Sequence, residues 1–479
     1  VLSVAEAHVT YPAASPVSLP ATKSYVGPAT FLFILLAVCF SVYMQTPPRV
    51  RPAGDALAEF SAARALKHVR DVAAASHPVG SPEHARVRDY IARELGTQGL
   101  APQIQQTTVV NEHKGLPFRA GTVYNVVARL KGTGDGPAVA LVAHYDSVPT
   151  GPGASDDASG VATLLETLRA LKASAPLKND VLFLFTDAEE VGLLGAKAFV
   201  DEHPWAKDVG LALNFEARGN GGPVMMFETS NGNTQLIREF AKAAPHPVAS
   251  SLFYEIYRLL PNDTDLTMFK AADIAGLNFA YVQGVVHYHT GADTVQAVDE
   301  RSLQQQGAYA LALVRHFGNL APAVQKTGNA VYFDLFGSSL IHYPNLWVLP
   351  LMVLVLILFA QIVVLGFKRR LLTVSGIVLG FFSLLLSMIC AALGVSLVWW
   401  LARALHAGYR TLPSGDTYNS KLYMVSFVAL AAAITFALCG LLRRRSSVES
   451  LSVGALAWWA VLMVLTSAML PGASYLFTW

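Results

Sequence analysis

Four short stretches gather side chains that can hold a metal ion or move a proton. HYDSVPTGPGASDDASG, residues 144–160, carries His144, Asp146, Asp156 and Asp157 in a glycine-rich setting. TDAEEVGLLG, residues 186–195, sets Glu189 beside Glu190. NFEARG, residues 214–219, adds Glu216, and VHYHTGADT, residues 286–294, adds His287 and His289. Each has a plain structural explanation. A histidine at a strand end can be a hydrogen-bonded core residue, and an aspartate before a helix is often only an N-cap. Adjacent glutamates repel and normally face solvent. Taken together they offer another reading: one glutamate binds a cation while the other serves as general base, then as general acid toward a leaving nitrogen. Asp146 is positioned to hydrogen-bond the His144 nitrogen that a metal leaves unused. His287 and His289 alternate on what reads as extended chain, so only one should reach a site.

Imidazole and carboxylate donors with no cysteine suit zinc, with manganese or cobalt as alternatives. The donors exceed what one zinc with an open position needs. Two ions about 3.5–4 Å apart, bridged by one carboxylate, would use them all.

The segments that must position these groups lie between about 55 and 320. Helical periodicity covers 57–76, 82–96, 158–171, 193–203, 234–244 and 299–317. Strand patterns cover 122–130, 138–145, 180–187, 210–217, 223–229 and 277–283. DVLFLFTD at 180–187 is almost wholly apolar, the signature of a strand buried on both faces. The βα alternation predicts an α/β domain with a mainly parallel central sheet, and the acidic clusters follow its strands.

The rest of the chain is of a different character. Hydrophobic residues make up 53% of the 479 and charged residues only 14%, a membrane-protein balance. A formal charge of +2 argues against a nucleic-acid partner. Cys39, Cys390 and Cys439 all lie in apolar tracts and offer no disulfide or metal site to the polar region. Apolar runs long enough to span a bilayer occur at 28–46, 346–367, 373–399, 421–442 and 452–471. The first reads as a retained anchor, because QTPPRVRP after it offers no small-residue cleavage site. The expected organisation is a tail at 1–27, a span at 28–46, a polar domain at 50–325 and a membrane domain at 346–471. KRR at 368–370 and RRR at 443–445 mark cytoplasmic loops, which puts the polar domain on the extracytoplasmic side. The loop at 400–420 falls on that same side despite some arginine.

These motifs, in this order over about 65–320, resemble the zinc exopeptidases of family M28. The resemblance implies a three-layer α/β sandwich with a mixed, mainly parallel sheet and two zinc ions per chain. It implies His144 as ligand of one zinc with Asp146 behind it, and Asp156, four residues before Gly160, as the bridge. It further implies Glu189 as general base, Glu190 and His289 as ligands of the second zinc, and Glu216 beside His144. Tyr288 is similar to a tyrosine that helps stabilise the oxyanion in some members. An anchor, a peptidase domain and several further spans resemble the membrane-bound M28 enzymes of the endoplasmic reticulum and fungal vacuole. Those often have more spans than are counted here, so this chain is expected to be a shorter form or to lack its C-terminus; it begins at Val1 without methionine. The implied partners are a peptide substrate, the bilayer and, as an open option, a second copy of the chain. The implied reaction is aminopeptidase hydrolysis, with carboxypeptidase, glutaminyl cyclase or a non-catalytic membrane scaffold as alternatives.

Overall fold

The computed structural model describes residues 26–112, 118–321, 324–412, 417 and 419–479. The expected tail at 1–27 falls outside these but for its last two residues, as does part of the 400–420 loop. The chain divides into two compact units, Val1–Tyr43 and Met44–Trp479. The described part of the first lies in α1 (Val26–Met44).

The second unit contains a seven-stranded sheet. Its strands are β1 (Gln103–Asn111), β2 (Arg119–Leu130), β3 (Ala138–His144), β4 (Val181–Thr186), β5 (Val209–Ala217), β6 (Met225–Thr229) and β7 (Ala275–Tyr281), in the order β1-β2-β4-β3-β5-β7-β6. The central run β4-β3-β5-β7 is parallel. Both margins are antiparallel: β1 with β2, β2 with β4, and β6 with β7. The sheet is therefore evenly mixed, not mainly parallel as the alternation suggested. Two causes are visible. No helix follows β2, so no crossover forces β3 parallel to it. And β1, QIQQTTVVN, is a polar, largely exposed edge strand with no hydrophobic pattern to announce it.

Alternate residues of the central strands feed two cores, as a strand's period of two requires. Val139, Leu141 and Ala143 of β3, with Val181, Phe183 and Phe185 of β4, enter the larger core. That core receives α2 (Ala62–Val72), α3 (Pro82–Thr97), α4 (Ala158–Lys172), α6 (Thr234–Ala243) and α9 (Glu300–Phe317). Ala140, Val142, Leu182 and Leu184 point the other way, against α5 (Leu194–Glu202) and α8 (Leu266–Ala271). The result is three layers. Each large apolar side chain so buried contributes about 1.5–3 kcal/mol.

The parallel register sets the strand ends level. His144 pairs with Thr186, and Glu216 pairs with Ala280, near the carboxyl ends of their strands. A short helix, α7 (Ser251–Tyr257), and the hairpin of β8 (Ala330–Leu335) and β9 (Ser339–Pro344) lead to the apolar helices. These are α10 (Val348–Lys368), α11 (Val374–Leu405), α12 (Ser420–Leu442) and α13 (Val448–Met469). With α1 they make five helices long and apolar enough to cross a membrane, matching the five expected segments. α11 extends to Leu405, past the expected end at 399. α11 and α13 pack closely where Gly376, Gly380 and Gly454 leave room for backbone contact, and Trp458 donates to the Phe381 carbonyl at 2.8 Å.

One glycine locks the turn after β4. A methyl group on Gly195 would come within 3.0 Å of the Asp187 backbone and the Asn125 side chain. Gly195→Ala should lower the thermal midpoint and metal retention together, at a cost of about 1–3 kcal/mol from overpacking. Gly96→Ala, on the open face of α3 where an added methyl meets nothing within 4 Å, should leave both unchanged or slightly raised. Equal behaviour of the two variants would show that the turn tolerates displacement.

Candidate metal centre

The candidate site gathers where β3, β4, β5 and β7 end, the usual ligand crevice of an open α/β sheet. His144 is the last residue of β3 and is 1% exposed. Its Nδ1 lies 3.0 Å from the Asp146 carbonyl oxygen. A carbonyl can only accept, so Nδ1 carries hydrogen and Nε2 is the atom turned inward. Nε2 stands 3.1 Å from Asp156 Oδ1 and 3.6 Å from Glu216 Oε2.

A second set stands on the other side of Asp156. His289 Nε2 is 3.2 Å from Asp156 Oδ2 and 3.1 Å from Glu190 Oε2. Asp156 thus offers one oxygen to each histidine. Asp157 caps α4 by accepting from the Gly160 N–H at 2.9 Å, as its position before the helix suggested. It also lies within reach of His144 and Glu216: His144, Asp157 and Glu216 form one metal-competent group, and His144, Asp156 and Glu190 another.

The donors fit a cation better than they fit one another. His289 Nε2 is buried and close to two carboxylate oxygens, yet makes a hydrogen bond to neither. Glu190 Oε1 and Asp157 Oδ2 are likewise buried without a hydrogen-bond partner among the described residues. Ligands about 2.0–2.2 Å from one tetrahedral zinc stand about 3.3–3.6 Å apart. The observed spacings of 3.1–3.6 Å lie at or just below that range.

Without a cation, protons must relieve the crowding. Burial, aided by the Asp156 charge, pushes Glu190 up to about 7. Burial and the charge of Glu216 hold Asp157 well above the carboxylate range. Burial also raises Glu189, against the opposing pull of His144 and with help from neighbouring carboxylates. For the histidines burial works against protonation, but their carboxylate partners prevail: His144 is held well above its ordinary value and His289 reaches about 9. Asp156 goes the other way. Burial would raise it, but the two histidines facing its oxygens bring it to about 2.

The surrounding chain fixes this geometry. The Asp146 carboxylate accepts the N–H groups of Glu189 at 3.0 Å and Glu190 at 3.2 Å. It therefore ties the His144 loop to the paired glutamates, a role beyond the expected one behind His144, where its Oδ1 is 3.4 Å from Nδ1. Ala188 and His289 have φ of 58° and 56°, a left-handed backbone costing each about 1–3 kcal/mol. Residues 285–287 form a helical turn. The histidines are thus separated by a bend and not by strand alternation. His287 Nδ1 instead lies 3.0 Å from the Gly284 carbonyl. The Tyr288 ring stacks on His289, centroids 3.7 Å apart. Burial and nearby carboxylates raise its hydroxyl, so it stays a donor.

Three supporting groups escaped notice in the sequence. Asp293 accepts the N–H of Ser155 at 2.8 Å and of Asp156 at 3.2 Å. Asn214 donates to Glu216 Oε1 at 3.1 Å. His84, from α3, lies 2.7 Å from Asp187 Oδ1 under the paired glutamates. Asp293 and Asn214 sat inside quoted motifs; His84 lies 103 residues from its partner and gave no local signal.

Asp156, Glu189, Glu190, Glu216, Arg218 and Tyr288 line a cavity of about 660 Å³. Its far wall is apolar, with Met225, Phe227, Phe253, Ile256 and Tyr257.

Residues 125–314, which span every one of these ligand positions, match the sequence profile of Peptidase family M28. The chain carries an M28 peptidase domain. It is 36% identical over 233 residues to endoplasmic reticulum metallopeptidase 1 of Mus musculus, covering 47% of this chain and 26% of that protein. It is 30% identical over 353 residues to putative endoplasmic reticulum metallopeptidase 1-B of Caenorhabditis elegans, covering 68% and 39%. With the vacuolar membrane protease of Candida albicans (strain WO-1) it shares 33% identity over 257 residues, covering 52% and 29%. The matches span only about a quarter to two fifths of the length of these relatives.

The pH dependence of the metal-free M28 domain follows from its protons. Glu190, at about 7 against an ordinary 4.5, keeps a proton when folded that the unfolded chain has released. Its contribution to stability is lost as pH rises across that window. His289 adds a loss continuing toward its value of about 9, while Asp156 loses its contribution only as pH falls from 3.8 toward about 2. Chelator-treated protein should therefore melt at a lower temperature at pH 8 than at pH 5.5. Zinc should restore the midpoint most at pH 8, because binding displaces those protons. A flat profile without metal, or no response to zinc at pH 8, would contradict this account of the site.

Proposed function

We propose that this chain is a membrane-anchored, two-zinc exopeptidase, most simply an aminopeptidase. Asp156 carries the reading, because it offers one oxygen to His144 and the other to His289. In the proposed assignment His144 and Glu216 hold one ion, Glu190 and His289 hold the other, and Asp156 bridges. The metallopeptidase and protease names of the relatives support it, as does the retention of every candidate ligand and the base, which a non-catalytic scaffold would have no reason to keep. The peptidase domain is assigned to 50–325 and the membrane domain to 346–471.

Two zinc ions bound there would supply Lewis acidity, polarising a scissile carbonyl and acidifying water. The protein's own groups do the rest. Glu189, on the cavity wall with its proton affinity raised, takes a proton from the attacking water and delivers it to the leaving amine. The Tyr288 hydroxyl donates to the developing oxyanion. Asp146 keeps Glu189 and Glu190 in place through their N–H groups. The apolar wall receives an apolar substrate side chain and keeps water from it.

The basic ends of the helices support the orientation. Lys368 ends α10 and Arg369–Arg370 follow it, and Arg443–Arg445 follow α12. If those ends face the cytoplasm, the peptidase domain, joined to the opposite end of α10, lies on the periplasmic, extracellular or luminal side.

The deciding experiment uses the full chain, purified in detergent and loaded with zinc, on a panel of aminoacyl-naphthylamides and their N-acetylated counterparts. Free-amine substrates should be cleaved and blocked ones spared. Glu189→Gln should keep its metal and lose about 10²–10⁴-fold in kcat, the usual contribution of a general base. Full activity in that variant would remove Glu189 from the mechanism. Cleavage of blocked substrates at the same rate would remove the aminopeptidase assignment.

A further inference from the structure

Arg218 stands in the cavity without an evident structural employer. It follows β5, two residues after Glu216, and its N–H donates to the Tyr281 carbonyl at 3.0 Å. Its guanidinium carbon lies 5.3 Å from the centre of the Tyr288 ring, which in turn stacks on His289. The carboxylates of Asp156, Glu189, Glu190 and Glu216 line the same cavity. An arginine serving to neutralise that cluster would sit on one of them in a forked ion pair. Arg218 does not: among the described residues its guanidinium has no carboxylate within the 4.0 Å of an ion pair and makes no hydrogen bond. The aromatic face of Tyr288 holds it near the reacting end of the cavity while leaving its planar donor edge open.

We infer that Arg218 binds a substrate carboxylate on the leaving-group side of the scissile bond. The substrate class is then short peptides with a free C-terminal carboxylate or with an acidic residue after the cut. This deepens the peptidase reading and rests on it. The cavity is consistent with such a ligand. At about 660 Å³ it is in the size range of a small-molecule pocket, about 300–1,000 Å³. An amino-terminal apolar side chain can use the wall of Met225, Phe227, Phe253 and Ile256, while the negative end of the peptide meets the guanidinium.

The test compares Leu-Leu, Leu-Leu-amide and Leu-Glu-amide on the zinc-loaded full chain. Charge-assisted pairing predicts that Leu-Leu exceeds Leu-Leu-amide by about tenfold or more in kcat/KM, mainly through KM. Leu-Glu-amide separates the two sources of carboxylate: rescue of the amide's deficit assigns the side chain, and no rescue assigns the terminus. Arg218→Gln should shrink the preference to within about threefold, and Arg218→Lys, a point charge without the fork, should fall between. Calorimetry of Leu-Leu and Leu-Leu-amide on zinc-loaded Glu189→Gln reads the same preference without turnover. Equal handling of acid and amide by the wild type would overturn the inference. So would an acid preference that persists in Arg218→Gln, since the metal ions would then hold the carboxylate. Absence of turnover on every peptide, with carboxylate-selective binding intact, would reject the peptidase reading and keep Arg218 as the anion site.

Discussion

A single buried carboxylate has to face two histidines at once. Asp156 does this with its oxygens at 3.1 and 3.2 Å from His144 and His289, and the other candidate ligands are arranged around that fact. Its position is set from several directions. Asp293 accepts its N–H, Asp157 begins α4 immediately after it, and Gly153, at φ 65°, lets the loop fold where a methyl would strike the Asp156 carbonyl. Gly151 lies similarly tight against the Thr290 carbonyl, so the loop of Asp156 and the loop of His289 are pressed together.

The electrostatics of the centre suit a preorganised cation site. Burying several carboxylates without counter-charge is costly, and a buried ionisable group ordinarily escapes by changing protonation. The raised proton affinities of Glu190, Asp157 and Glu189 are that escape. A polar framework nevertheless keeps the side chains aimed inward. Asn214 links Glu216 to Asn278, which donates to Glu228, itself paired with Lys270. Asp146 and His84–Asp187 brace the opposite side. The left-handed Ala188 and His289 are local costs carried by this framework.

The apolar helices are also coupled to the cavity. The segment following α13 packs on α7, whose Phe253, Ile256 and Tyr257 line the wall. Ser251 donates to the Gly472 carbonyl at 2.6 Å, Ser250 and Tyr475 share a hydrogen bond at 2.7 Å, and Phe333 stacks on Tyr475 at 4.4 Å. The membrane half thus supports one wall of the peptidase cavity in addition to supplying spans.

The sequence by itself determined which groups are candidates for chemistry and where the long apolar helices run. Hydropathy over twenty residues and apolar runs ending in acidic or histidine residues are local signals, so His144, Glu189, Glu190, Glu216 and His289 were legible beside their strands. The strand order was not. β1 pairs with β2 through an exposed polar face, and the antiparallel partnership of β2 with β4 spans intervening chain, so neither leaves a periodic trace. The division of labour between Asp156 and Asp157 was likewise beyond local reading, since both satisfy the same composition. The tertiary structure brings His289 to one oxygen of Asp156 and gives Asp157 the start of α4 to cap, while both aspartates stay within reach of His144. The same holds for Asp146, whose N–H partners lie 43 and 44 residues away. Contacts of that range depend on how the strands are ordered in space, and spacing along the chain does not encode them.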